Sequence, residues 1–399
     1  MNIQQGNVAG QKPTRIAGSA AEAYVLDQES EGVIRQSLSD LGMPDIDIIT
    51  GTVETAIAAL TLKPSPRLLL VDVSGVDDPV SRVRALAEVC EPQTGVVVIG
   101  DRNDIVLYRN LKYAGIVDYF FKPLVGPLVR STCNRILTGE AEEPTTRAGR
   151  LVFVIGVRGG VGTTTIAVNS AWYLAENRQR WVMLLDLDLQ NGDAALQLDT
   201  TPSHALREAL EHPERVDKLF LERAVIHVDQ RLDLLASLDP LGDNVGLRED
   251  ATLAMLEKLL DRYRFVFVDL PSPIATMVMG VLRSPSTCVL VSDASLASAR
   301  DVARWREQIG PNSHDRTTLH ILNKSGAADS LPEADFIRAA GGAPDIVIPY
   351  DREIAARANL GIHKGQDCAA LKRGLAPLLN HLAGEPMKAP VSLLRRIFG

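Results

Sequence analysis

Residues Leu151–Thr165 read LVFVIGVRGGVGTTT. Leu151–Val157 is an unbroken apolar run of strand length, which predicts a parallel strand buried on both faces. Gly159, Gly160 and Gly162 follow at once, and from Ile166 to Leu174 the pattern turns helical with Ala and Leu. Strand, glycine turn and helix in that order predict a phosphate cradle. The glycines let the backbone turn tightly with its N–H groups inward, and the helix start adds partial positive charge. Val161, Thr163, Thr164 and Thr165 complete the loop, and the hydroxyl of Thr164 or Thr165 is placed for Mg²⁺. One charge is missing. Loops of this kind end G-K-[ST], and Thr163 stands at the Lys position. Arg158 stands at the loop's start, where one subgroup carries a second Lys.

The rest of the chain builds outward from this loop. With 399 residues, 46% hydrophobic and 23% charged, it is an ordinary globular chain of two or three domains. A net charge of −8 argues against a dedicated nucleic-acid binder, whose footprint is basic. Cys90, Cys133, Cys288 and Cys368 lack metal-ligand spacing and read as buried small side chains in a reducing cytoplasm. Met1–Arg15 has no apolar core of a signal peptide, and no run approaches the ~18 apolar residues of a membrane span.

Residues 1–20 read as disordered, rich in Gly, Gln and Ser. From 21 to 137, five apolar strands alternate with five helical stretches, which predicts a flavodoxin-like doubly wound sheet with its site at the strand C-termini. Residues 138–150 (TGEAEEPTTRAGR ends at Arg150) form a polar linker. Residues 151–385 alternate again, with apolar strands WVMLLDL (Trp181–Leu187) and FVFVDL (Phe265–Leu270) that end in acids, and predict a second doubly wound sheet. Asp188, after the first of these, is placed to reach a γ-phosphate, its water and the metal. Asp269, after the second, is placed to anchor Mg²⁺ through water.

The first half resembles the receiver domain of two-component response regulators. The resemblance rests on Asp72 at the end of the third strand and Lys122-Pro123 after the fifth. It makes Asp72 the phosphoacceptor position and Lys122 the phosphoryl contact. Two positions depart: Gln28 follows Asp27 where a receiver has a second acid, and Gly100 stands where it has Ser or Thr. With one carboxylate fewer the metal is poorly held, so the expectation is a pseudo-receiver used for docking or dimerisation.

The second half resembles the MinD/ParA family of deviant P-loop ATPases. The resemblance rests on RGGVGTTT, on Asp186–Asp188 with Gly192, on Asp269-Leu270-Pro271, on Asn323-Lys324, and on Pro349-Tyr350-Asp351 followed by Ala358-Asn359-Leu360-Gly361. It implies bound ATP and Mg²⁺ and a homodimer with ATP between subunits. It also makes Asn323 the adenine contact, with Lys324 and Pro349 beside the nucleotide, and Arg158 a residue reaching the partner's phosphates. Without a Lys at Thr163, hydrolysis is expected to be slow or absent. A degenerate receiver followed by such an ATPase resembles the TadZ/CpaE family. That implies a localisation factor of tight-adherence, type IVc pilus systems, working with pilus and secretion proteins at a cell pole. A ParA-type DNA-partitioning ATPase and a phosphorelay regulator are the alternatives.

Residues 386–399 end in PVSLLRRIFG. At 100° per residue, Val391, Leu393, Leu394, Ile397 and Phe398 share one side, and Ser392, Arg395 and Arg396 the other. This is the composition of a helix lying in an anionic membrane surface, and it resembles the membrane-targeting tail of MinD.

Overall fold

A computed structural model describes residues 19–139, 149–243, 247–354 and 369–383. The N-terminal stretch, most of the predicted linker, Ala358–Gly361 and the amphipathic tail lie outside the described residues.

Two parallel sheets follow one another. The first contains β1 (Ala21–Val25), β2 (Asp47–Thr50), β3 (Leu68–Asp72), β4 (Gly95–Gly100) and β5 (Asp118–Phe121), in the order β2-β1-β3-β4-β5. Every pairing is parallel. β3 and β4, LLLVD and GVVVIG, are buried along their whole length, as the apolar runs predict. The intervening helices are α1 (Gln28–Ser39), α2 (Val53–Leu62), α3 (Pro79–Val89), α4 (Ile105–Tyr113) and α5 (Gly126–Thr138). Short polar side chains start them: Asp27, Asp78 and Asp104 each accept a first-turn N–H.

The second sheet has eight strands in the order β13-β12-β11-β6-β10-β7-β9-β8. Its strands are β6 (Arg150–Gly156), β7 (Val182–Asp186), β8 (Ile226–His227), β9 (Leu232–Leu235), β10 (Phe265–Leu270), β11 (Ser286–Ser292), β12 (Arg316–Ser325) and β13 (Ile346–Pro349). β6 lies centrally, between β10 and β11. All pairings are parallel except β8 on β9, which is antiparallel. That edge strand of two residues carries no periodicity and was not predicted. Neither were the short helices α7 (Ala194–Gln197), α9 (Lys218–Ala224) and α11 (Ser272–Met277), each too brief to show a helical repeat. The predicted helices appear as α6 (Thr163–Arg178), α8 (Ala205–Glu211), α10 (Glu249–Leu260), α12 (Leu296–Ile309), α13 (Glu333–Ala340) and α14 (Ala369–Leu382). α6 is buried on every side from Ile166 to Ala175, because it packs between the sheet and α14.

The two domains meet at the N-terminal edges of both sheets. Arg231, just before β9, is 5% exposed. Its Nη2 donates to the carbonyls of Leu60 (3.3 Å), Thr61 (3.3 Å) and Lys63 (2.9 Å) at the end of α2. The guanidinium thus satisfies carbonyls that a helix end leaves without partners. Its Nη1 donates to Gln179 O in its own domain (2.7 Å), and it lies over the Trp181 ring. Arg264, just before β10, donates to Glu88 of α3 at 2.5 Å, and Arg150 adds a second contact to Glu88 at 3.5 Å. Helices in such sheets run antiparallel to the strands, so the C-termini of α2 and α3 and the starts of β6, β9 and β10 all belong to N-terminal edges. The C-terminal edges, where sites form in this architecture, therefore face away from each other.

Candidate functional site

At the C-terminal edge of the first sheet, three predicted residues come together. Lys122 Nζ donates to Asp72 Oδ2 at 2.5 Å and to Asp27 Oδ2 at 2.6 Å. Asp72 is fully buried and also accepts from the N–H of Leu26 (3.2 Å) and Ser74 (2.9 Å). The ammonium stands between the two carboxylates that would otherwise share a cation. Burial raises the Asp27 pKa, but hydrogen bonds from Lys122 and Ser30 outweigh it and hold this carboxyl below its usual range. Burial lowers the Lys122 pKa, and its two acidic partners outweigh that and raise it. Gly100 has its own reason. A Cβ there would stand 2.5 Å from the Tyr119 hydroxyl, which donates to Arg102 O at 2.7 Å. A tyrosine fills the place of the missing hydroxyl residue.

The second sheet carries the glycine loop at the end of its central strand. Gly160 and Gly162 have φ of +78° and +94°, a region open to glycine. Gly162 is the N-cap of α6 and brings no side chain to cap it. The first-turn N–H groups of Thr163, Thr164 and Thr165 lack intrahelical partners, and this is the geometry that receives an anion. Gly162 is further constrained by a neighbour, since a Cβ there would lie 2.6 Å from Asn323 Nδ2. Val161 is fully buried and anchors the loop beneath.

Asp269 and Asp186 are directly paired across β10 and β7, at 3% and 2% exposure. The Thr164 hydroxyl lies beside Asp269 and opposes the rise of its pKa. Burial, then the facing Asp186 carboxylate, raise the Asp269 pKa well above the usual range. Burial chiefly raises Asp186 to about 7, against hydrogen bonds from Ala194 and Asp188 that pull it down. Asp186 Oδ1 accepts from Asp188 N at 3.0 Å and Oδ2 from Ala194 N at 3.1 Å. Gly192 fits against it, where a Cβ would be 2.5 Å from Oδ2. Asp186 therefore shapes the loop that carries Asp188, and Asp188 Oδ1 itself accepts from Asn191 N at 3.0 Å. Sequence reasoning gave the chemistry to Asp188 and Asp269 and passed over Asp186 as a site residue. The signal was present, because VMLLD and FVFVD end in Asp at matched register.

Among the described residues, no group of three or more His, Cys, Asp or Glu side chains is set to hold a metal. A magnesium ion here fits a different donor set: the Thr164 hydroxyl, carboxylates acting through water, and phosphate oxygens. The buried carboxylate pair beside that hydroxyl, whose charged forms burial disfavours without a cation, matches such an ion.

Asn323 and Lys324, at the end of β12, reach the loop from the other side. Asn323 Nδ2 donates to Val161 O at 2.8 Å, and Lys324 Nζ to Gly160 O at 2.6 Å. Pro349 closes β13 beside Ser325 and is exposed. Arg158 turns toward α12, where its Nε lies 4.0 Å from Asp301 Oδ2. A cavity of about 430 Å³ opens there, lined by Val157, Ser272, Asp301, Arg304 and Trp305 among others.

The family model of the cellulose biosynthesis protein BcsQ matches residues 150–307. The virulence plasmid ParA family protein pGP5-D of Chlamydia psittaci is 28% identical over 148 residues, 35% of this chain and 51% of its own. This chain thus spans about half the length of that relative. The putative septum site-determining protein MinD of Nephroselmis olivacea is 23% identical over 235 residues, 56% of this chain and 83% of its own. Two solved structures share the fold of the second domain. A ParA family ATPase from Chlorobium tepidum is 22% identical, with TM-score 0.51 over 59% of this chain and 99% of its own. MinD from Pyrococcus horikoshii, complexed with Mg-ADP, is 21% identical, with TM-score 0.50 over 59% of this chain and 98% of its own. The chain therefore joins a receiver-like α/β domain to a second α/β domain with the P-loop fold of the MinD and ParA ATPases.

Proposed function

We propose that this protein is an ATP-binding, dimerising localisation factor for type IVc pilus assembly and secretion, with slow or absent ATP hydrolysis. The observation that carries the nucleotide reading is the uncapped glycine loop together with the buried Asp186–Asp269 pair at the same sheet edge. In this reading the N–H groups of Gly159–Thr165 hold the phosphates. Thr164, with Asp188 and Asp269 through water, holds Mg²⁺, which supplies charge neutralisation. Asn323 and Pro349 flank the base. Arg158 leaves Asp301 and reaches the partner's phosphates, where its planar fork suits an anion. Thr163 brings no ammonium, so less transition-state charge is stabilised and turnover stays low.

The pilus role draws on the domain order, a degenerate receiver ahead of a MinD/ParA-type domain. The Lys122 bridge between Asp27 and Asp72 supports a docking rather than a phosphate-accepting first domain. No helix among the described residues is long and apolar enough to cross a membrane. Peripheral contact through residues 386–399 completes the proposal.

The test is titration calorimetry with Mg-ATP, paired with gel filtration with and without ATP. Binding with ATP-dependent dimerisation that Arg158→Ala abolishes supports the proposal. A turnover of about 1–10 s⁻¹, ordinary for enzymes, contradicts slow hydrolysis. Binding to random DNA that falls steeply with salt favours the partitioning reading instead. Anionic liposome sedimentation unchanged by removal of Val391–Gly399 refutes the membrane tail.

A further inference from the structure

The glycine loop lacks a cation where the phosphates of a nucleotide would lie. Thr163 stands at the Lys position, and Arg158, the loop's one basic residue, is drawn to Asp301 at 4.0 Å. Amide dipoles alone then face a polyanion. One ammonium does reach the loop, from a distant part of the chain. Lys324 has φ of +56°, a left-handed conformation that a side-chain-bearing residue seldom adopts. It sits where the β12–β13 register shifts between Leu322 and Ser325. From this position the side chain reaches the loop. Nζ donates to Gly160 O at 2.6 Å. Its Cε lies 3.9 Å from where a Cβ on Gly162 would stand, one residue from Thr163. Asn323, its neighbour, ties Val161 O at 2.8 Å and keeps the two segments in register. An ammonium has three donors, and the Gly160 carbonyl takes one of them.

We infer that Lys324 supplies, from the end of β12, the phosphate-facing cation that the loop lacks at Thr163. The inference rests on the nucleotide-site reading of the same loop. It names a binding role for Lys324 beyond bracing the loop: its charge replaces the missing one, and a lysine restored at position 163 makes it dispensable. Its field already extends beyond the loop. Burial raises the nearby Asp293 carboxyl, but hydrogen bonds from Ser298 and Ser295 and the positive charge of Lys324 outweigh it.

The experiment uses the full chain and calorimetry with Mg-ATP, Mg-ADP and, by competition, adenosine. Lys324→Met weakens both nucleotides about 10- to 100-fold and leaves adenosine within a factor of about two. Lys324→Arg retains most of the affinity. Thr163→Lys in the Lys324→Met background restores at least tenfold of the ~10- to 100-fold loss. Lys324→Gln replaces the Met variant if circular dichroism shows that the latter is unfolded. Unchanged Mg-ATP affinity in Lys324→Met overturns the inference and leaves the nucleotide site standing. An equal loss for adenosine, or no rescue by Thr163→Lys, reduces Lys324 to a loop brace and also overturns it. A wild-type chain that binds no nucleotide removes the site reading and this inference together.

Discussion

Removing the Arg231 side chain should uncouple the two domains. Its Nη2 faces three carbonyls of the first domain, at 2.9, 3.3 and 3.3 Å, but carries only two N–H groups. Two bonds are therefore the most it can make well. A hydrogen bond from a charged donor contributes about 1.5–3 kcal/mol net, and the freed carbonyls regain water once the face opens. Taking the lower figure twice, Arg231→Ala costs the coupled fold about 3 kcal/mol. The assay is urea unfolding followed by two probes. All three tryptophans, Trp172, Trp181 and Trp305, lie in the second domain, so the main fluorescence transition follows the unfolding of that domain, with Trp181 under Arg231 adding a signal from the seam. Far-UV circular dichroism reports on both. In the wild type the two curves are expected to coincide. In Arg231→Ala the dichroism acquires an earlier phase that the main fluorescence transition does not share, displaced by about 1 M urea at a slope of 2–3 kcal/mol/M. Coincident curves at an unshifted midpoint would refute the docking described for this arginine.

Asp269→Asn should stabilise the ligand-free protein at pH 8 more than at pH 5. Burial and the facing Asp186 raise the Asp269 carboxyl well above its usual range. Its contribution to stability is complete below the ordinary carboxylate pKa and is lost as pH rises toward its folded pKa. Replacing Asp269 removes that share of the slope in urea midpoints measured across the range, and an unchanged slope contradicts the pairing. The same variant should lose magnesium-dependent nucleotide binding, read by calorimetry with and without EDTA. Gly162→Ala meets both a φ of +94° and the Asn323 amide. It should lower stability by about 1–2 kcal/mol and abolish Mg-ATP binding, and wild-type affinity in this variant would show the loop to be adaptable. Acetyl phosphate should leave the intact mass unchanged, because Lys122 already spans Asp27 and Asp72; an adduct that Asp72→Asn removes would show the bridge opens.

Much of this architecture was legible because its strands are buried on both faces and read as continuous apolar runs. LLLVD, GVVVIG, LVFVIG and FVFVDL announce themselves, and the acids that end them mark the C-terminal edges. The glycine loop was equally plain, since its conformation is written in the residue types that permit it. What escaped was whatever depends on register or on distant approach. Asp186 and Asp269 lie far apart in the chain, and only the β7–β10 pairing makes them one buried pair. Lys324 on Gly160 needs a left-handed residue at a strand end, for which lysine gives no sign. Arg231 is a lone arginine before a strand, and its role exists only once α2 ends opposite it. The Tyr119 hydroxyl beside Gly100 likewise explains a departure that looked like simple loss.

The edge-to-edge docking of the two sheets also sets the valence of any assembly. Two chains joined at their nucleotide edges would hold their Asp72 edges at the outer ends of the pair, pointing apart. Such a pair has two heads on one stiff body, spaced by the length of two molecules. Because the heads point in opposite directions, such a pair would bridge two copies of a partner rather than clamp one surface twice. Nucleotide exchange would switch the molecule between one head and two, converting a chemical state at one edge into cross-linking at the other.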